Sequence, residues 1–120
     1  MNDDVYCLMA KSNYDEAVAA GEYRPESLAT EGFVHCVNLH QIVEVANMFY
    51  ASVVEVVLAR IERGRVHSGV VDEEAAVASL RGRGDSYPHI YGPGNMGAVV
   101  EVVEMPRDVS GVFVMPEDWT

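Results

Sequence analysis

Thr30-Glu31-Gly32-Phe33-Val34-His35-Cys36-Val37-Asn38 passes from loop chemistry through a short apolar strand to a helix cap. Alternation along the strand puts Phe33, His35 and Val37 on one face and Val34 and Cys36 on the other. His35 therefore shares its face with apolar neighbours. Asn38 is a preferred cap residue, and Gln41 three positions on completes a capping-box pattern. Behind the cap, Leu39, Ile42, Val43, Ala46 and Tyr50 recur at helical spacing, and Met48 and Phe49 broaden the stripe.

Working outward from this stretch, Val5–Ala10 reads as a first strand buried on both faces. Ser12 is an N-cap with Asp15 behind it; Tyr14, Ala17, Val18 and Gly21 then trace a helix of about two turns that stops on Gly21. Pro25, Ser27, Thr30 and Gly32 make 22–32 a loop, of a length that carries function more often than it merely connects. Val53–Ile61, β-branched and almost continuously apolar, fits an interior position in a sheet. Glu62–Arg65 reads as a turn, with Val66–Val71 returning antiparallel to that strand. Asp72–Leu80 has the acidic start of a short helix, and Arg81–Asp85 is a glycine-punctuated connection. Ala98–Met105 and Gly111–Met115 read as strands ahead of a tail at Trp119. Tyr87-Pro88-His89-Ile90-Tyr91-Gly92-Pro93, held by its two prolines, reads as a restrained loop. It is expected to meet the first stretch and line one site with it. About six strands with two or three short helices predict an α+β domain with a largely antiparallel sheet.

The 120 residues suit one domain spanning 1–120, and 49% hydrophobic content supplies a core. No apolar run approaches the ~18–20 residues of a membrane span. Met1-Asn2-Asp3-Asp4 is acidic and runs directly into a strand, unlike a secretory leader, so a cytoplasmic protein without membrane attachment is expected. A formal net charge of −11 opposes phosphate-backbone binding, so nucleic acid is not an expected partner. Five of the eight basic residues, Arg60, Arg63, Arg65, Arg81 and Arg83, nevertheless fall in 60–83, a window of net +1 against −12 elsewhere. The window is either a solvated loop surface or an anion site for one phosphorylated or carboxylated small molecule. Cys7 and Cys36 lack metal-type spacing and read as free, buried thiols on neighbouring strands.

Val5-Tyr6, Gly21-Glu22-Tyr23-Arg24-Pro25, Ser27-Leu28-Ala29-Thr30-Glu31-Gly32-Phe33-Val34-His35-Cys36 and Pro88-His89-Ile90-Tyr91-Gly92-Pro93, in that order, resemble the bacterial family called domain of unknown function 952. The resemblance spans roughly positions 5 to 104, with 105–120 as a short C-terminal extension. It implies a fold similar to the ADP-ribosyltransferase superfamily, a split β-sheet with a cleft between its halves. It also implies NAD as a possible cofactor, gripped by a histidine or arginine on the first strand and a polar or aromatic residue on a later one. A further position, often acidic, orients the sugar, and Glu73 lies nearest to it. Relatives often read hydrophobic-Tyr-His in the first strand where this chain has Val5-Tyr6-Cys7, and a thiol does not replace an imidazole as a hydrogen-bond clamp. The residue after Cys36, often serine in relatives, is Val37 here.

His35 is the leading candidate, either a general acid/base or ligand donor in the neutral range or a buried histidine satisfied by a carbonyl. His89 and Tyr91 join it as catalytic candidates. Tyr6, Tyr23, Arg24, Phe33, Tyr87 and Glu73 are ligand-binding candidates, Arg24 through a carboxylate or phosphate. Each has a bland alternative: a packed turn for Tyr87–Tyr91, an exposed loop pair for Tyr23 and Arg24, solvated helix-start acids for Glu73 and Glu74. His35, Cys36, His40, His67 and His89 show no zinc signature, so no metal is expected. Cys36 cannot be a nucleophile paired with His35, because adjacent strand residues point to opposite faces. Gly92-Pro93-Gly94-Asn95 reads as a turn, not a phosphate loop. The expectation is a small-molecule enzyme whose cleft performs acid–base chemistry (rearrangement, cyclisation or hydrolysis) on a polar or heterocyclic metabolite. NAD-dependent ADP-ribosyl or phosphoryl transfer and a non-catalytic ligand-binding module are the alternatives.

Overall fold

The computed structural model describes residues 3–119, so Met1 and Asn2, the start of the acidic N-terminal stretch, lie outside the described residues. In chain order the elements begin with β1 (Asp4–Ala10), α1 (Lys11–Ala20), β2 (Glu22–Tyr23), α2 (Glu26–Thr30), β3 (Val34–His35) and α3 (Ile42–Phe49). They continue with β4 (Val56–Glu62), β5 (Gly69–Glu73), β6 (Tyr87–Tyr91), β7 (Gly94–Asn95) and β8 (Val99–Glu104). The class is α+β, with mostly antiparallel sheets and three short α-helices, as the patterning predicts.

β4 lies between β1 and β8 in one three-stranded sheet, and β6 lies between β3 and β5 in another. β2 and β7 form a separate two-stranded ladder. The near-continuous apolarity of β4 has a direct use. Val56 and Leu58 enter one core with α3, and Val57, Ala59 and Ile61 enter the other with Val34, Cys36 and Ile90.

The two larger sheets are joined by an isolated antiparallel bridge between Tyr6 and Val37, whose N–H groups donate to each other's carbonyls at 2.9 and 2.8 Å. Pro88 explains why the β3–β6 ladder is short. Its carbonyl accepts the Cys36 N–H at 3.0 Å, but a proline has no N–H to return. The chain leaves β6 there, and Val37 bonds to β1 instead. Cys7 and Cys36, one register step beyond that bridge, are free and buried. A hydrogen bond to Cys7, then burial, pushes the Cys36 thiol well above its ordinary value.

Several local expectations give way to tertiary context. α1 begins at Lys11 behind Ala10, which makes no side-chain cap, and Ser12 falls inside the helix. Val18 on its stripe is 54% exposed. Gly21 does end the helix, at φ 80° with its N–H on the Ala17 carbonyl at 2.8 Å. The segment 22–32 is not one loop; it holds β2 and α2, and Ser27 Oγ donates to the Phe33 carbonyl at 2.9 Å. The strand expected from Val53 begins at Val56, because the Val53 N–H closes a turn onto Tyr50 and the Arg107 guanidinium takes the Val53 carbonyl at 2.7 Å.

Val66–Val71 does not return beside β4, whose two edges are occupied by β1 and β8; β5 pairs with β6 instead. Asp72–Leu80 is not a helix either: Asp72 and Glu73 complete β5, and only Ala78–Leu80 forms a 3-10 turn. The Arg81 side chain ties that segment down by donating to the Ala75 and Ala76 carbonyls at 3.1 and 2.8 Å. Tyr87–Tyr91 is a central strand rather than a loop. Gly111–Met115 is not a strand, and Phe113 makes an isolated bridge to Arg107. No helix among the described residues is long and apolar enough to cross a membrane.

Candidate functional site

The β3–β6 register sets His35 directly opposite His89. Because the neighbouring Cys36–Pro88 pair carries the backbone bond, the two histidines occupy a non-hydrogen-bonded position, where side chains stand closer. Their ring centroids are 5.5 Å apart at 79°. Phe33, two residues before His35 on the same face, stacks on His89 at 4.1 Å and touches His35 edge-on at 4.9 Å. Tyr91, two residues beyond His89, lies 5.3 Å from Phe33. The β3–β6 register and the alternation along each strand together gather these four rings.

Each histidine has its own carboxylate. Nε2 of His35 is 2.9 Å from Glu31, and Nδ1 of His89 is 2.8 Å from Glu73. Glu31 arrives because α2 ends just before it and Gly32, at φ 89°, reverses the chain into β3. Glu73 arrives at the end of β5, opposite Tyr87 in the ladder, and also accepts the Tyr91 hydroxyl. A carboxylate on one ring nitrogen sets the tautomer and leaves the other nitrogen for chemistry. The His35–Glu31 pair is about 40% exposed, whereas the His89 side chain is 3% exposed. Both carboxylates reach solvent, Glu73 at 35% exposure, so the two dyads differ in the burial of the imidazole.

The Tyr91 hydroxyl, then the His89 ring, hold the Glu73 carboxyl below the usual carboxylate range. Glu73 in turn holds the Tyr91 phenol above its ordinary value. A folded-state pKa below the unfolded one contributes stability that is complete above about 4.3 and is lost as pH falls through the lower folded value. Wild-type protein should therefore lose urea resistance more steeply than Glu73→Gln as pH drops below about 4. Parallel losses in urea midpoint would show that the carboxylate is not held in this way.

Beside the histidines lies a cavity of about 220 Å³. His35, Val37, Phe49, Val77, Tyr87 and His89 stand in its wall, with further apolar side chains from α3 and the segment after β5. Tyr87 is buried, and its hydroxyl has no hydrogen-bond partner among the described residues.

Of the residues singled out from sequence, His35, His89 and Tyr87 line the cavity, and Phe33, Tyr91 and Glu73 surround the histidine pair without lining it. Tyr6 is buried on the same side of the sheets and packs on Trp119 at 5.8 Å, but it does not line the cavity. Tyr23 packs against the opposite core, and Arg24, paired with Glu22, borders a separate groove beside α1. These two do not meet the histidines. Glu31, Phe49 and Val77 are site residues that sequence reasoning missed. Glu31 stood in the decisive stretch four positions before His35, but only the turn at Gly32 shows that it reaches back.

The arginine window is engaged locally: Arg60 with Asp4 and Glu101, Arg63 with Asp72, Arg65 with Glu62, Arg83 with Glu44. Arg81 is taken by backbone carbonyls. This is the solvated loop surface, not a converging anion site. No group of three or more His, Cys, Asp or Glu among the described residues is placed to hold a metal ion.

Fold and site together define an α+β protein with two antiparallel three-stranded sheets, a cross-strand histidine pair and an adjoining apolar cavity. The chain belongs to the family described as Protein of unknown function (DUF952), which matches residues 8–102. In fold it is similar to protein CC0527 from Caulobacter crescentus. The crystal structure of that protein aligns with a TM-score of 0.79 at 21% identity, covering 92% of this chain and 93% of that one. Its solution NMR structure aligns at 0.67 and 20% identity, covering 91% and 90%. No curated protein matches the chain.

Proposed function

We propose that this protein is a small-molecule enzyme of the acid–base type, in which His89, oriented by Glu73, and His35, oriented by Glu31, exchange protons with a compound in the adjoining cavity. The observation that carries this reading is the cross-strand pair itself: two imidazoles 5.5 Å apart, each on its own carboxylate. Two histidines so placed can act on one molecule as base and acid. Rearrangement, cyclisation and hydrolysis can each be served by such a pairing.

We read the fold as ADP-ribosyltransferase-like, on the strength of two three-stranded antiparallel sheets joined by the Tyr6–Val37 bridge. The residues present do not fit NAD. Cys7, at the first-strand position where the family resemblance implies that relatives often carry histidine, is buried among Val34, Cys36 and Ile90, on the face away from His35 and His89. The cavity wall among the described residues holds no lysine or arginine to meet a diphosphate. Its volume of about 220 Å³ is below the roughly 300–1,000 Å³ that accommodates drug-sized ligands. Fold analogy does not supply the reaction.

The test is thermal shift with NAD and ADP-ribose, run beside NMR-detected solvent deuterium exchange into a panel of small cyclic ketones and lactams. Exchange catalysed by wild type and lost in His35→Gln and His89→Gln is expected, with the melting temperature unmoved by millimolar NAD. A clear NAD shift without any exchange would replace acid–base chemistry with nucleotide transfer.

A further inference from the structure

We infer that the cavity takes a small, uncharged aromatic or heteroaromatic compound whose hydrogen-bond acceptor meets the Tyr87 hydroxyl. The inference deepens the proposed acid–base reading and rests on it for the choice of cleft.

A tyrosine that is 3% exposed with an unpartnered hydroxyl is unusual. Buried polar groups are nearly always paired, because leaving a donor dry is unfavourable. Here the donor belongs to a residue of the cavity wall, so a ligand can supply the missing acceptor. Burial, with Asp85 and Glu44 nearby, holds the phenol above its ordinary value. It is therefore a neutral donor at working pH. Arg83 is spent on Glu44 and Asp85 adds a further negative charge, so the surroundings supply no net positive charge for an anionic ligand. Rings from His35, Phe49, Tyr50, Tyr87 and His89 line the space, which suits a flat aromatic molecule. Phe49 and Val77, 43% and 36% exposed, mark where the wall meets solvent and give such a molecule an apolar entry.

Tyr87 is thus a positioning residue: a ligand anchored at its hydroxyl is presented along β6 to His89, two residues away on the same face. Removing the hydroxyl should separate binding from stability. An unpaired buried hydroxyl disfavours the ligand-free protein, so Tyr87→Phe should keep or raise the melting temperature. It should also weaken any ligand that uses the bond by about 5- to 100-fold, the worth of one bond to a buried donor.

Acetophenone, ethylbenzene and benzoate are matched probes: a ring with a neutral acceptor, a ring without one, and an anion. Titration into wild type and Tyr87→Phe, followed by ¹H–¹⁵N NMR, should show acetophenone binding best to wild type. Acetophenone should lose at least about 5-fold in Tyr87→Phe, while ethylbenzene binds both proteins alike. The inference is overturned if none of the probes binds at millimolar concentration, if benzoate binds wild type best, or if acetophenone does not distinguish the two proteins. A lowered melting temperature for Tyr87→Phe also overturns it, because the hydroxyl would then be structurally satisfied. The two readings fail separately. Tyr87-dependent acetophenone binding with deuterium exchange indifferent to His35→Gln and His89→Gln removes the acid–base chemistry but leaves this ligand class standing.

Discussion

His89→Gln is expected to lower turnover of any compound the cleft converts by about 10²- to 10⁴-fold, the usual contribution of a positioned acid or base. Glu73 still accepts the Tyr91 hydroxyl, so the carboxylate is not left unpaired, but the glutamine amide cannot accept and release a proton near neutral pH. The stacked contact with Phe33 at 4.1 Å is weakened, a loss of about 0.5–1.5 kcal/mol. The fold should therefore survive with a modestly lower melting temperature while the chemistry is lost. His35→Gln should also slow the reaction, but the His35 imidazole is the more exposed of the two, and solvent can replace part of its proton transfer. The readout is kcat from the deuterium-exchange assay, with urea midpoints measured in parallel. If His89→Gln retained more than about a tenth of wild-type kcat, the dyad with the buried imidazole would not be the catalytic one.

Phe113→Ala should give the largest stability effect, about 3–5 kcal/mol in urea unfolding. Its ring is 1% exposed and belongs to the same core as Ile42, Ala46, Leu58 and Met105. Two further contacts fix the segment that carries it. The Asn47 side chain brackets the Phe113 backbone, accepting its N–H at 2.8 Å and donating to its carbonyl at 3.1 Å. The Arg107 guanidinium lies over the ring at 4.0 Å while donating to the Val53 carbonyl at 2.7 Å. Removing the ring leaves a cavity under α3, the helix that supplies Val45 and Phe49 to the wall of the cavity beside the histidines. A cost below about 1.5 kcal/mol would place this segment outside the cooperative core.

Sequence alone located the elements whose causes are local. The alternation Phe33, His35, Val37 against Val34, Cys36 determines both faces of β3, and Val34 and Cys36 do enter a different core from Val37. The Asn38–Gln41 capping box forms, with the Gln41 side chain accepting the Asn38 N–H at 2.8 Å, but it caps a 3-10 turn at Leu39–Gln41 that leads into α3. The almost continuous apolarity of Val53–Ile61 correctly marked an interior strand, although the strand itself runs Val56–Glu62. These signals survive because capping, alternation and two-sided burial are set by neighbours in the chain.

Tertiary structure decided what depends on vacancy and partner. Asp72–Glu73–Glu74 has the composition of a helix start, yet β4 had no free edge and β6 did, so Asp72 and Glu73 complete a strand. That choice carried Glu73 to His89 and Tyr91. Pro88 suggested a loop because its fixed φ and missing N–H penalise a central strand; β6 tolerates it where the β3 ladder ends. The pairing of His35 with His89 joins positions 54 residues apart, and no local period encodes such a distance. Thr30–Asn38 by itself determined which way His35 points. Only the folding of β5 and β6 beside it decided what His35 faces, because register across a sheet is settled by which edges remain to be paired.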